Sequence, residues 1–220
     1  MCIRDSDRCA VTWSTPEARK GAFNPRPAIQ AMIERPIEAA DDICALVARQ
    51  GDMMRLLGSV AELGLPDCWI GAGFLRNAVW DVLHGRAPNC GLLNDIDVVF
   101  FDRANVEPAF DAAIEDRLAA RSPNQPWSVK NQARMHVRNA DEPYRDTAAA
   151  IARWPETATA VAVRLLQGRL ELLGPHGLED LVGLTVRPTP AFAQRPQAFA
   201  RRLGAKDWLA RWPRLRIVNP

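Results

Sequence analysis

Residues 93–101 read LNDIDVVFF and set two carboxylates, Asp95 and Asp97, at the front of an otherwise apolar strand. Side chains of a strand alternate between faces, so Asp95 and Asp97 share one face while Ile96, Val98 and Phe100 share the other. Two neighbouring carboxylates repel, and without a partner they shift their pKa values or weaken the strand. A divalent cation removes the conflict, because hard oxygen ligands paired in this way suit Mg2+ shared with substrate phosphates. The plainer alternative is that NDID is a solvated turn that only opens the strand.

The residues upstream favour the cation. Residues 67–85 read DCWIGAGFLRNAVWDVLHG. Cys68 to Ile70 form a short strand, and Gly71, Ala72 and Gly73 form a small-residue turn. Leu75, Val79, Val82 and Leu83 then make the apolar face of a helix that Gly85 closes. Small residues between a strand and a helix let backbone N–H groups approach a phosphate, at the helix end whose dipole favours negative charge. Arg76 and Asn77 stand in the opening part of that helix. A cation there opposes the macrodipole at a cost of roughly a few tenths of a kcal/mol, a sign that a bound anion reverses. A pairing of Arg76 with Asp81 or another acid is the competing explanation. A dinucleotide fingerprint fails, because its third glycine falls at Arg76, too large for close helix–sheet packing.

Around this centre the chain alternates irregularly. Ile43, Leu46 and Val47 mark one helix; Met53, Leu56, Leu57 and Val60 mark a second, with Asp52 at its N-cap position and Gly64 and Pro66 as its stop. Residues 106–122 have the pattern of an amphipathic helix, and 127–137 (WSVKNQARMHV) that of a strand. Residues 157–175 (TATAVAVRLLQGRLELLGP) form two strands turning at Gln167 and Gly168. A short helix over 176–186 and a proline-rich piece lead to a last helical segment containing KDWLARWP. The fold class is therefore α+β, a mixed sheet flanked by helices rather than a doubly wound one. Residues 37–220 form this domain with a C-terminal helical extension, and 1–36 read as a loose tail. The opening MCIRDS resembles translated sequencing-adapter read-through and is set aside, with Met32 as a candidate start.

A chain of 220 residues with 48% hydrophobic and 25% charged residues has the composition of an ordinary globular protein able to bury a core. Its formal charge of +2 does not by itself indicate a nucleic-acid partner. Five scattered cysteines without a C-x-x-C pair, and three histidines, argue against zinc and against a disulfide framework, and fit a reducing cytoplasm. No apolar run has the length of a membrane span, so no membrane partner is expected.

The order of glycine turn, helix, loop and D-x-D resembles the nucleotidyltransferase fold of the DNA polymerase β superfamily. AGFLRN followed by DIDVVF is similar to the head of the tRNA nucleotidyltransferase branch, where a glycine pair and V-R-D precede D-x-D. Here Ala72 replaces the first glycine of that pair and Asn77 the acid. VKNQARMH and RWPETATAVAVRL resemble blocks of a bacterial nucleotidyltransferase family, over roughly residue 37 to the end. The resemblance implies transfer of a nucleoside monophosphate from a nucleoside triphosphate to a hydroxyl acceptor, with Asp95 and Asp97 as catalytic metal ligands. Gly71, Ala72, Gly73, Arg76 and Asn77 would hold phosphates. The acceptor is left open among a small molecule, RNA and a protein.

Members of the superfamily usually add a third carboxylate from a neighbouring strand. Residues 127–136 offer Lys130, Asn131, Gln132 and Arg134 but no acid. Asn131 as a neutral ligand and Glu171 arriving from the hairpin are the two candidates, and Lys130 and Arg134 share a strand face from which they would neutralise triphosphate charge. The missing acid also supports a second class of function, a non-catalytic nucleotide sensor or toxin–antitoxin component that keeps the fold. Glu156 and Thr157 flank the site by the same resemblance. The seven tryptophans, Trp154 and Trp212 among them, are expected to anchor packing rather than stack on a base. His136 and His176 are given structural roles.

Overall fold

The computed structural model describes residues 37–219, so the expected tail at 1–36 lies outside the described residues. Three antiparallel pairings and one parallel pairing build the central sheet. Its strands are β1 (Trp69–Gly71), β2 (Ile96–Phe100), β3 (Trp127–Asn131), β4 (Ala162–Leu166) and β5 (Arg169–Leu173), in the order β3-β2-β1-β4-β5. β2 and β3 are parallel; every other neighbouring pair is antiparallel. The parallel pair needs a crossover, supplied by α4 (Pro108–Arg121), which Pro108 opens at a position where its missing N–H costs nothing. β4 and β5 turn at Gln167 and Gly168, both with positive φ (50° and 76°), as a two-residue hairpin of matching twist requires.

The alternation expected of LNDIDVVFF is present. Ile96, Val98 and Phe100 enter the main core with Ile70, Val163 and Leu172. That core is completed by α1 (Ala40–Arg49), α2 (Gly51–Ala61) and α3 (Gly73–Leu83). Asp52 lies within the opening turn of α2, whose N-cap is Gln50, two residues before the expected one. The opposite sheet face carries a smaller cluster, in which Trp69, Val99, Ala162 and Leu173 meet Ile151. Ile151 ends α6 (Thr147–Ile151), which follows α5 (Met135–Asn139).

The strand expected over 127–137 stops at Asn131. There the Asn131 carboxamide oxygen accepts from the backbone N–H of Ala133, which turns the chain into a short 3-10 segment and then α5. Beyond β5 come α7 (Glu179–Val182), β6 (Thr185–Val186), α8 (Pro190–Ala193), α9 (Pro196–Gly204), α10 (Trp208–Arg211) and β7 (Arg216–Ile217), with β6 and β7 parallel.

The C-terminal segment folds back onto α3. Trp80 of that helix is fully buried and meets Trp208 and Trp212 edge to face, at centroid distances of 5.6 and 5.2 Å. Each such pair contributes roughly 0.5–1.5 kcal/mol beyond its buried area. The Trp212 indole N–H donates to Asp81 at 2.8 Å, and that of Trp80 to the Leu181 carbonyl at 3.2 Å. These tryptophans are packing anchors, and they place α9 and α10 beside the start of α3.

Candidate active site

The sheet register brings the two sequence motifs together. β1 runs antiparallel to β2 with Trp69 opposite Val99 and Ile70 opposite Val98, so the end of β1 and the start of β2 lie at the same end of the sheet. On its other side Gly71 pairs with Ala162, and the Ala72 N–H donates to the Val161 carbonyl at 2.9 Å. The turn is thus pinned between the aspartate strand and the residues leading into β4. Ala72 adopts φ 51° and ψ −122°, a conformation that glycine enters freely and an L side chain rarely does. α3 starts immediately after it with no side-chain cap and no acid in its first turn. The positive end of an eleven-residue helix therefore opens towards the aspartates.

A cavity of about 160 Å³ lies at this junction. Ala72, Gly73, Arg76, Asn77, Asp95 and Asp97 all contribute to its lining. Among the described residues, neither Asp95 nor Asp97 enters an ion pair, although Asp95 is exposed and Asp97 half-buried. Burial pushes the Asp97 carboxyl up to about 6, and the like charge of Asp95 adds to the shift; Arg76, Lys130 and Arg202 pull the other way. The carboxylate pair thus has charge to spare.

Arg76 faces the opposite demand. It is buried, its Nη1 donates to Thr159 Oγ1 at 2.8 Å and its Nη2 to Asn77 Oδ1 at 2.8 Å. Its guanidinium lies 5.1 Å from the Trp80 ring and 4.6 Å from that of Trp208. Burial lowers its pKa to about 10, partly countered by Glu156, Asp95 and Asp97. It remains a cation at neutral pH. The alternative pairing with Asp81 is not formed: Asp81 bonds Arg211, Arg86 and Trp212 instead.

Three expected phosphate contacts are not brought into the cavity. Asn131 is fully buried, its amide donating to the Asp102 and Asn105 carbonyls, so it secures the loop after β2 and has no free oxygen to offer an ion. Arg134 pairs with Asp111, beyond the end of the strand, and so does not share a face with Lys130. Lys130 does share the face of Asp97, since Asp97 pairs with Ser128 and Val99 with Lys130, but its Nζ is bonded to Glu115 and the Val129 carbonyl. Glu171 lies on β5, three strands from β2, and grips Arg164. Among the described residues there is no cluster of three or more acidic, histidine or cysteine side chains able to hold a metal.

The C-terminal segment supplies what the sequence reading lacked. Arg202, Lys206, Trp208 and Arg211 line the cavity, together with Thr159. Arg202 is fixed by the fully buried Glu156, at 2.5 and 3.1 Å. The available signal was one of composition: between Arg195 and Arg216 seven basic residues stand against one acid, Asp207.

A mixed sheet that presents paired aspartates beside an anion-receptive helix start has the architecture of a nucleotidyltransferase head. The chain belongs to a nucleotidyltransferase family, whose model matches residues 58–217. Among solved structures it is similar to a protein described as a CCA-adding enzyme head domain, at 33% identity and a TM-score of 0.77, covering 86% of this chain and 100% of that one. Weaker likenesses include a CCA-adding enzyme with CTP (21% identity, TM-score 0.47, 79% of this chain) and the Thermotoga maritima CCA-adding enzyme complexed with tRNA (18%, 0.45, 87%). The match spans 42% of each of those two chains. No curated protein matches.

Proposed function

We propose that the protein transfers a nucleoside monophosphate from a nucleoside triphosphate to a hydroxyl acceptor. The observation that carries this reading is the convergence, in one cavity, of an aspartate couple with no ion-pair partner among the described residues and a helix start without a side-chain cap. An acceptor oxygen would form a bond to the α-phosphorus while the bond to the pyrophosphate oxygen breaks in line, and the hydroxyl proton leaves to solvent. Gly73 and the first turn of α3 would orient the phosphates, and Arg76 would act on them through its charge, its two terminal nitrogens being already engaged. Positioning and charge neutralisation supply most of the acceleration in such a transfer.

The donor set fits Mg2+. Two carboxylates with no ion-pair partner among the described residues suit an ion that keeps several waters or substrate oxygens, whereas a fully protein-made cage would need more ligands than are present. Asp95 and Asp97 would hold it, and when bound it would lower the acceptor's pKa and offset charge on the phosphoryl oxygens. Asp97→Asn tests the proposal: pyrophosphate release should vanish while the circular-dichroism spectrum stays that of the wild type. Undiminished turnover in that variant would refute it.

The missing third carboxylate favours a second reading, a nucleotide sensor that binds without transfer. Calorimetry with a nucleoside triphosphate and Mg2+, followed by a pyrophosphate assay over hours, separates the two: tight binding with no release selects the sensor.

A further inference from the structure

Resting on the nucleotide reading above, the geometry points to Lys206 as the residue that grips the terminal phosphates of the triphosphate, so that the C-terminal segment completes the nucleotide site. Four cationic side chains line the cavity, and three of them are already engaged. Arg202 is held by Glu156, Arg211 by Asp81 at 3.1 Å, and Arg76 by Thr159 and Asn77. Lys206 is exposed and enters no ion pair among the described residues. Asp207, its neighbour in sequence, lines the same cavity without pairing to it.

The arrangement around one indole makes the case sharper. Arg76, Arg202 and Lys206 lie 4.6, 5.9 and 6.0 Å from the Trp208 ring. Three like charges brought round a single ring repel one another. The π-face, Glu156 and the two aspartates offset part of that repulsion, and a polyanion in the cavity would offset more of it. Of the three, and among the described residues, Lys206 alone has its donors uncommitted to hydrogen-bonded partners. An ammonium on a flexible stem binds phosphate as a point charge, with no demand for a planar, two-pronged partner. The cavity that a phosphate chain would enter is bordered by the aspartates and the start of α3 as well as by the segment after α9.

The test is calorimetry, in Mg2+, of wild type, Lys206→Ala and Lys206→Arg with a non-hydrolysable nucleoside triphosphate, inorganic tripolyphosphate and a nucleoside monophosphate. Loss of a charge-assisted contact should weaken the two triphosphate ligands roughly ten- to hundredfold in Lys206→Ala. The monophosphate should bind as before, and Lys206→Arg should recover most of the loss. Unchanged triphosphate affinity in Lys206→Ala, with the wild type binding well, overturns the inference and leaves the transfer reading standing. Lys206-dependent binding of tripolyphosphate without binding of the nucleotide does the reverse. A wild type that binds none of the three overturns both.

Discussion

The indole of Trp154 lies over Gly71 so closely that a Cβ at position 71 would stand 2.6 Å from Cη2 and 3.0 Å from Cζ3. Glycine is needed here for space, because the last residue of β1 must pass beneath an aromatic ring before the turn. Gly71→Ala forces the ring or the strand to move, and overpacking of this kind costs about 1–3 kcal/mol. A denaturant melt of Gly71→Ala should show that loss, and Trp154→Leu in the same chain should return part of it. Additive losses in the double variant would separate the two residues energetically.

Ala72 presents the opposite case, a side chain where the backbone suits glycine. Its φ of 51° carries a strain of order 1–3 kcal/mol, against which the extra unfolded-state freedom of glycine weighs roughly 0.5–1 kcal/mol. Ala72→Gly should therefore stabilise the protein by about 1 kcal/mol, read as a rise in the denaturation midpoint at constant slope. The turn geometry is unchanged, so nucleotide binding should be retained. A lower midpoint would mean that the alanine methyl contributes more through packing than it costs in strain.

The two sites differ in how far the sequence foretells them. The alternation of residues 96–100 and the Gln167–Gly168 hairpin are local signals, fixed by a period of two or by backbone preference, and appear where expected; the turn expected over Gly71, Ala72 and Gly73 narrows to Ala72, because Gly71 closes β1 and Gly73 opens α3. Asp95 and Asp97 could be paired with the turn on resemblance. What brings them together physically is the antiparallel register of β1 and β2, which no local pattern encodes. The cationic wall was hidden for the same reason. Arg202 reaches Glu156 across 46 positions, and Arg211 reaches Asp81 across 130, so in the sequence they are indistinguishable from solvated charges. Arg134 lies off the strand for a different cause, since the strand expected to carry it ends at Asn131, whose side chain caps the next turn, while Lys130 stays on the strand face of Asp97 with its ammonium on Glu115.

Asp97 gives the protein a pH signature. Its carboxyl is raised from 3.8 to about 6, chiefly by burial and then by Asp95. Between those values the folded state holds a proton that the unfolded chain has released, so stability should fall as pH rises from about 4 through about 6 and level off above. Chelator-treated wild type should show this slope in thermal melts, and Asp97→Asn should lack it. Mg2+ binding requires the ionised form, so its affinity should fall as pH drops through about 6. A melt profile that is the same in both proteins would place the titration elsewhere.

Arg202 and Glu156 yield the last prediction, which separates support of the fold from service to the site. Glu156 is wholly buried and its two carboxylate oxygens accept from Arg202, whose side chain is 30% exposed and lines the cavity. Removing the arginine strands a carboxylate in the interior, and breaking such a pair costs about 3–5 kcal/mol, less whatever solvent reaches the exposed side. Replacing both partners by uncharged residues of similar size costs far less, because no charge is left behind. Arg202→Ala should accordingly destabilise the protein strongly, whereas Arg202→Met with Glu156→Gln should melt close to wild type. If that repaired double variant still binds nucleoside triphosphate weakly, the guanidinium acts on the ligand as well as on Glu156; if it binds normally, Arg202 only holds the C-terminal segment in place. Calorimetry on the double variant decides between these two roles, since its stability no longer confounds the binding measurement.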